Sequence, residues 1–252
     1  MIRIGSLFAG IGGFELGLER AIPGSETIWQ VEQEPFCQKV LKKHWPNATI
    51  YDDVRTVGSH NLESVDILCG GFPCQDISTA GKGKGLEGEK SGLWFEMLRI
   101  ISELRPRIAV LENVSAITFR GLPRVLGDLA GIGYDCEWQI ISARQFGACH
   151  LRRRWFCVAH PNSERLQKQP NNTKPMETQS VFKCRDSKNE RIHIRNYWEK
   201  KTTLSGIRRM DDGVSAKLDK HRLKSLGNAI VPQCSEYIGL HILNSGLLDD
   251  LS

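Results

Sequence analysis

Cys74 and Glu112 are the residues whose types and settings are best suited to chemistry. Cys74 lies in the run GGFPCQDIS, after an apolar stretch, and Glu112 lies in LENV at the end of another. A thiolate in a turn bounded by glycine and proline can act as a nucleophile, and a nearby carboxyl group can act as a general acid. Taken alone, a cysteine is more often a buried core thiol than a nucleophile, and LENV means nothing by itself. Position after a predicted strand is what favours catalysis.

A glycine-rich turn, FAGIGG from Phe8 to Gly13, follows the first predicted strand. It lacks the third glycine of G-x-G-x-x-G, because Glu15 stands there, and such a turn is as often an ordinary strand-to-helix connection. Glu32 ends the second predicted strand, where a carboxylate can accept hydrogen bonds from ribose hydroxyls. Asp53, which ends the third, is similarly placed for an adenine amino group. Two acids and a glycine turn predict an adenosine-containing cofactor.

Short apolar runs alternate with amphipathic stretches along most of the chain, which predicts an α/β fold with a doubly wound, mostly parallel sheet. The predicted strands are residues 3–8, 26–32, 48–53, 65–71, 107–114, 135–142 and 153–159. Helical periodicity follows Phe14, surrounds Val40 and runs from Leu93 to Leu104. An apolar helix over 235–248 is expected to return and pack on the same core. Ligands bind at the carboxyl ends of such strands, where the residues named above lie.

The composition, 40% apolar and 25% charged over 252 residues, is that of an ordinary folded protein. No apolar run approaches the ~20 residues of a membrane span, and the N-terminus lacks a signal-peptide layout. We therefore expect a cytoplasmic protein without a membrane partner. Eight cysteines without a CxxC pair predict neither a zinc site nor a disulfide framework, so no metal is expected.

Positive charge is concentrated in one segment. Residues 161–210 hold 12 Lys/Arg against 5 Asp/Glu, whereas the remainder holds 22 against 24. The segment is polar and has no clear periodicity. It predicts a small domain or insertion over 160–205 that approaches a polyanion, with a solvated basic loop as the alternative. The main domain would then comprise 1–159 and 206–252.

The order and spacing of FAGIGG, GGFPCQ and LENV resemble the motifs of the DNA (cytosine-5) methyltransferase family. QFGACHLRRRWFCVA is similar to the family's glutamine-then-RxR motif, and LGNAIVPQ is similar to its C-terminal GN motif. The resemblance covers roughly residues 1–159 and 206–252. It implies a Rossmann-like methyltransferase that transfers a methyl group from S-adenosylmethionine to C5 of cytosine in double-stranded DNA.

The resemblance also implies residue roles. Cys74 matches the nucleophile that adds to C6 of cytosine, and Glu112 matches the acid that relieves charge at N3. Arg152 and Arg154 match the RxR pair, which completes the catalytic set. The matched cofactor-binding residues are Phe8, Gly10, Gly12, Glu32, Asp53, Asn228 and Val231. The residues expected to contact DNA are Pro73, Gln75, Ser78, Lys82, Lys84, Asn113, His150, Lys200 and Lys201. No side chain is identified as the base that removes the C5 proton.

Two residues depart from the family pattern. His150 stands where much of the family has glutamine, and Cys149 where it has proline. Histidine can still donate a hydrogen bond, so activity is expected to be retained, while the geometry of this loop stays open.

A base inside a duplex must be flipped out before a cysteine can reach it. Residues 78–88 follow the nucleophile and combine four glycines with Lys82 and Lys84. They are predicted to form a mobile lid that closes onto the phosphate backbone, with a surface loop of no function as the alternative.

Residues 160–205 occupy the place of the family's target-recognition region. His193, Tyr197 and Trp198 interleave with the basic residues Arg191, Arg195, Lys200 and Lys201, a mixture typical of nucleic-acid contact surfaces. Tyr197 and Trp198 nevertheless suit a small core slightly better. So short a region predicts a short target sequence.

Three other functions share part of this sequence pattern or its chemistry. An RNA cytosine methyltransferase acting on transfer RNA would use the same chemistry. A catalytically silent DNA-binding partner is disfavoured by the intact GGFPCQ and LENV motifs, and an NAD-dependent oxidoreductase by the missing third glycine. No obligate protein partner is evident, so a monomer is expected.

Overall fold

Seven strands form one mixed sheet in the computed structural model, which describes residues 1–73, 92–161 and 225–248. The strands are β1 Ile2–Leu7, β2 Ser25–Val31, β3 Thr49–Tyr51, β4 Ile67–Gly71, β5 Ile108–Val114, β6 Tyr134–Ser142 and β7 Arg153–Pro161. Their order across the sheet is β3-β2-β1-β4-β5-β7-β6. All seven predicted strands are present, and the α/β fold is confirmed.

The first five strands pair in parallel, whereas β7 runs antiparallel to both β5 and β6. A parallel connection needs a crossover of a dozen or more residues, usually a helix. The link between β6 and β7, over 143–152, contains only the short 3-10 helix Ala143–Phe146, so the chain turns back on itself. The sheet is therefore mostly parallel, as predicted, with an antiparallel edge.

Six α-helices that lie entirely within the described ranges cover the two faces of the sheet, and residues 225–228 are helical as well. The six are α1 Gly13–Ala21, α2 Pro35–His44, α3 Gly92–Leu104, α4 Ile117–Arg120, α5 Leu122–Gly131 and α6 Pro232–Asn244. Alternate residues of the central strands enter opposite layers: Leu7 and Leu68 lie with Trp94, while Ile4 and Ile67 lie with Phe14. Burial on both faces explains the nearly continuous apolar runs of these strands.

The C-terminal helix packs against the N-terminal one, as predicted. Ser235 Oγ donates a hydrogen bond to the carbonyl of Gly13 at 3.0 Å. A Cβ on Gly17 would lie 2.0 Å from Ser235 Oγ, and one on Gly239 would lie 2.6 Å from Ala21 Cβ. Glycine is therefore required where α1 and α6 touch, and this contact brings residues 225–231 to the end of β1.

Glu15, in the place of the absent third glycine, is fully buried on α1. Its Oε1 accepts a hydrogen bond from Gln30 Nε2 at 3.1 Å, and Oε2 has no hydrogen-bond partner within the described residues. Burial raises the pKa of this carboxyl group to about 7. The side chain faces β1 and β2 rather than a ligand.

No helix in the three described ranges is long and apolar enough to cross a membrane. Several predictions fall outside these ranges. Among the predicted site residues they are Cys74, Gln75, Ser78, Lys82, Lys84, Lys200 and Lys201, together with the lid and almost all of the recognition segment. The division into two domains stays a prediction.

Candidate active site

A cleft of about 1030 Å³ opens at the carboxyl ends of the parallel strands. Nine predicted site residues line it: Phe8, Gly10, Glu32, Asp53, Pro73, Glu112, Asn113, Arg154 and Asn228, with Gly71 and Phe72 beside them as part of the GGFPCQ motif. Strand ends scattered over the sequence supply them, because parallel strands present their ends at one edge. Cys74 directly follows Pro73 in the sequence.

Four predicted residues, Gly12, His150, Arg152 and Val231, lie instead along an adjoining cavity of about 900 Å³. Arg154 borders both cavities, as do Ala229 and Ile230. The segment that follows the 225–228 turn therefore forms the wall between them. Cys149 and His150 are exposed.

The cofactor end of the cleft is built on the turn after β1. Phe8 and Gly10 both have positive φ angles, of 57° and 59°. The amide of Gly10 donates to Glu32 Oε2 at 2.7 Å, and the amide of Glu34 donates to Glu32 Oε1 at 2.7 Å. No atom lies within 4 Å of the position that a Cβ on Gly10 would take. The turn therefore leaves open space for a ligand, and each Glu32 oxygen keeps a further lone pair toward it.

Asp53 is held by its neighbour. Arg55 Nη2 lies 2.8 Å from Asp53 Oδ2, and the Arg55 backbone amide donates to Oδ1 at 3.0 Å. These hydrogen bonds lower the pKa of Asp53, so its carboxylate stays charged. Its predicted contact with an adenine amino group has to share the carboxylate with Arg55.

Sequence reasoning missed three residues of the cleft. Asp52 accepts a hydrogen bond from Gln38 Nε2 at 2.8 Å. Cys37 Sγ lies 3.4 Å from Ser225 Oγ, which joins α2 to the 225–228 turn. Asp52 was detectable as the neighbour of Asp53, whereas no local pattern relates Cys37 to Ser225.

Glu112, the predicted acid, lines the cleft beside Gly71 and Arg154. The register of β4 and β5 pairs it with Gly71, where a Cβ would come within 2.6 Å of Glu112 Oε2. On its other side Arg154 Nε lies 2.9 Å from Glu112 Oε1. Burial raises the pKa of Glu112 to about 7, although the positive charges of Arg154 and Arg152 oppose the shift. A carboxyl group with this pKa is suited to proton transfer at neutral pH.

Asn113 uses its side chain within the protein. Its Nδ2 donates to the carbonyl of Phe72 at 3.0 Å, and its Oδ1 accepts from the amide of Val114 at 2.8 Å. The amide group therefore fixes the end of β4 against the end of β5. This geometry supports the role of holding the turn, and contact between Asn113 and DNA stays a prediction.

The two arginines of the RxR motif have different partners. Arg154 contacts Glu112, whereas Arg152 donates to the carbonyl oxygens of Gly227, at 2.8 Å, and Ala229. Within the described residues, only one member of the predicted RxR pair therefore forms an ion pair with the Glu112 carboxyl group. In the described ranges, no group of three or more His, Cys, Asp or Glu side chains is arranged to hold a metal ion.

Comparison with known proteins supports the resemblance read from the motifs. A family model described as C-5 cytosine-specific DNA methylase matches residues 2–229. The type II methyltransferase M.Bsp6I of a Bacillus species is 36% identical over 173 residues, which is 65% of this chain and 54% of that protein. M.CviJI of Paramecium bursaria Chlorella virus IL3A is 38% identical over 155 residues, 61% of this chain and 41% of that protein. The chain spans about half the length of the curated relatives it matches.

Solved structures agree on the fold. A Dnmt2 methyltransferase from S. pombe superposes with a TM-score of 0.65 at 15% identity and covers 100% of both chains. A DNA modification methyltransferase encoded within an E. coli prophage gives a TM-score of 0.54 at 24% identity, covering 69% of this chain and 52% of that one. With the family model matching most of the sequence, this chain belongs to the C-5 cytosine-specific DNA methylase family.

Proposed function

We propose that this protein transfers a methyl group from S-adenosylmethionine to C5 of cytosine in double-stranded DNA. The observation that carries the proposal is the position of Glu112: a buried carboxyl group with a pKa of about 7, paired with Arg154, facing the cleft that the Gly10 turn also lines. Family membership and the type II methyltransferase relatives support the reaction and the DNA substrate.

S-adenosylmethionine fits the residues at the cofactor end. The open space at Gly10 leaves room for a ligand against the backbone, and the Glu32 carboxylate can accept hydrogen bonds from a ribose. Phe8, Asn228, Asp52 and Asp53 line the same cleft. When bound, this cofactor would supply an electrophilic methyl group.

Cys74 and Glu112 would divide the chemistry of the base between them. The Cys74 thiolate forms a bond to C6 of the flipped cytosine, and the displaced electron pair moves through the ring toward N3. Protonated Glu112 donates its proton at N3, so that C5 becomes nucleophilic without a full negative charge on the ring. After C5 is methylated, a base such as water removes the C5 proton, and the electron pair of that bond expels the Cys74 thiolate from C6. N3 returns its proton to Glu112, which restores the neutral aromatic base and the starting state of both side chains.

Arg154 has a supporting role in this scheme. Its guanidinium, 2.9 Å from Glu112, moderates the effect of burial and keeps the carboxyl group from remaining protonated at all physiological pH values. Asn113 holds the backbone that leads into Pro73 and Cys74.

The remaining parts of the proposal concern substrate contacts. Residues 160–205 form the recognition region, with Lys200 and Lys201 on DNA phosphates, and residues 78–88 close over the flipped base. His150 donates a hydrogen bond near the target strand, supported by its exposure on the loop before the RxR motif. The protein acts as a cytoplasmic monomer without an obligate partner.

The test is methyl transfer from labelled S-adenosylmethionine by the purified chain, with unmethylated plasmid DNA and transfer RNA offered separately. We expect label in DNA as 5-methylcytosine and none in RNA. The matched control is Cys74→Ser, which should bind the cofactor but transfer nothing. Label in RNA alone would replace DNA as the substrate, and cofactor binding without transfer to either would refute the proposed activity.

A further inference from the structure

The guanidinium of Arg152 donates hydrogen bonds to the backbone carbonyl groups on both sides of Asn228. Its Nη1 donates to the carbonyl of Gly227 at 2.8 Å, and its Nη2 donates to the carbonyl of Ala229. These contacts join residues 75 and 77 positions apart in the sequence. Arg152 itself has a φ of 25°, a conformation that residues with side chains rarely adopt, so the fold imposes this placement on it.

The segment that Arg152 contacts, residues 227–229, continues into Ile230, which lies against α1. A Cβ on Gly13 would lie 2.3 Å from the carbonyl oxygen of Ile230. The amide of Ala229 donates to the carbonyl of Ser225 at 2.9 Å, which closes the helical turn before it. Residues 228–230 line the cleft between these constraints. Their position therefore depends on Arg152 on one side and on α1 on the other.

We propose that Arg152 is a positioning residue of the cofactor site: its forked guanidinium holds residues 227–229 so that Asn228 and Ile230 form a wall of the cleft that the Gly10 turn also lines. The inference rests on the proposed function only in taking S-adenosylmethionine as the occupant of that cleft. The resemblance placed Arg152 near the target base, whereas this inference assigns it to the support of residues 227–229.

A second effect of Arg152 is electrostatic. Its positive charge acts on Glu112 together with that of Arg154, and both lower the pKa of Glu112 against the effect of burial. Two further titratable groups of the described chain lie near this pair: Cys234, on α6, and His150, which lines the same cavity as Arg152 and Arg154. Burial raises the pKa of the Cys234 thiol to about 12, so it stays neutral at physiological pH. Arg152 thus has a geometric effect and a charge effect, which different substitutions separate.

Arg152→Lys keeps the positive charge but loses the fork, because one ammonium group cannot reproduce two hydrogen bonds in a fixed plane. Arg152→Met loses both. Arg144→Lys is the matched control, since Arg144 is exposed on the 3-10 helix of the same loop. Binding of S-adenosylmethionine and of its demethylated product, S-adenosylhomocysteine, is measured by calorimetry without DNA. Loss of hydrogen bonds to a charged group predicts on the order of tenfold weaker binding in both Arg152 variants and no change in the control.

The pH profile of turnover at saturating cofactor distinguishes the charge effect. Arg152→Lys should keep the wild-type profile, whereas Arg152→Met should move the alkaline limb to higher pH, because Glu112 loses one of two opposing charges. Amide hydrogen exchange of residues 227–231 in the cofactor-free chain should be faster in both variants than in the control. A purely structural defect would accelerate exchange throughout the sheet instead.

Asn228→Ala completes the test, because it removes a supported side chain and leaves both carbonyl groups in place. If Arg152 acts through residues 227–229, the two substitutions should not add. The double variant Arg152→Lys, Asn228→Ala should then have about the same cofactor affinity as whichever single variant binds the cofactor less tightly. Unchanged cofactor affinity in Arg152→Lys with a reduced turnover number would overturn the inference. Arg152 would then be assigned to contact with the target base instead. Wild-type protein that binds the cofactor but methylates no nucleic acid would refute the proposed function while leaving the inference intact.

Discussion

Replacement of Glu112 by glutamine tests whether the buried carboxyl group is the acid that acts at N3. The substitution keeps the size and the hydrogen-bonding capacity of the side chain and removes its titration. We expect turnover to fall on the order of 10²-fold or more, as is typical when a general acid is lost. Binding of S-adenosylmethionine should change little, because the Glu112 carboxyl group lies against Gly71 and Arg154, neither of which is among the predicted cofactor-binding residues.

The structure also sets the pH range in which Glu112 affects stability. Its pKa is raised from an ordinary value of 4.5 to about 7 in the folded chain. Between these values the unfolded chain releases the proton and the folded chain retains it, so the free energy of unfolding falls as pH rises from about 4.5 to about 7 and is level above. The shift corresponds to a loss of about 3 kcal/mol over this range.

Chemical denaturation of the wild type and Glu112→Gln at several pH values measures this loss. Between pH 4.5 and 7 the unfolding free energy of the wild type should fall by about 3 kcal/mol relative to that of Glu112→Gln. Above pH 7 the two curves should run parallel. Glu63→Gln, at an exposed position, is the control and should follow the wild type. Wild-type turnover should decline above about pH 7, where Glu112 loses its proton.

Parallel stability curves across the whole range would show that Glu112 is ionised in the folded protein at all these pH values. The Arg154 pair would then outweigh burial, and the carboxyl group could not donate a proton at N3. Equal turnover in Glu112→Gln and the wild type would assign the N3 contact to another residue.

Four further outcomes are expected. DNA containing 5-fluorocytosine should form an adduct with the wild type that survives denaturing electrophoresis and is absent from Cys74→Ala, since fluorine cannot leave as a proton; an adduct in that variant would identify a different nucleophile. Log affinity for DNA should fall linearly with log salt, with a smaller slope after Lys200 and Lys201 are replaced by glutamine and with the same target cytosine; a changed target would mean that these lysines read bases. The recognition segment, which is no larger than a single small DNA-binding module, should specify about two to four base pairs, and bisulfite sequencing that showed a required site of six or more would contradict this. Glu15→Gln should remove a second decline of stability between pH 4.5 and 7, measured by denaturation, because burial also raises the pKa of Glu15 to about 7.

The strands and the edge at which ligands bind were predictable from the sequence because they depend on local pattern. Apolar runs such as that of β5 are buried on both faces, and the residues that follow them necessarily meet at one edge. The cleft accordingly contains Phe8, Glu32 and Glu112 as predicted.

Partnerships between distant segments were not predictable from local pattern. The hydrogen bonds from Arg152 to the carbonyl groups of Gly227 and Ala229 depend on how the antiparallel edge and the segment before α6 meet after folding. The pairing of Asn113 with the Phe72 carbonyl likewise follows from the β4–β5 register and not from residue type. A motif match identified these residues without showing which atoms they contact.

The contact between α1 and α6 affects how the protein is made. Gly13 lies against Ile230 and accepts a hydrogen bond from Ser235, a residue 222 positions away in the sequence. A ribosome-bound chain that has not yet extruded α6 lacks this contact and should not retain S-adenosylmethionine. Fragments divided between β7 and residues 225–228 should likewise regain cofactor binding only when they are combined.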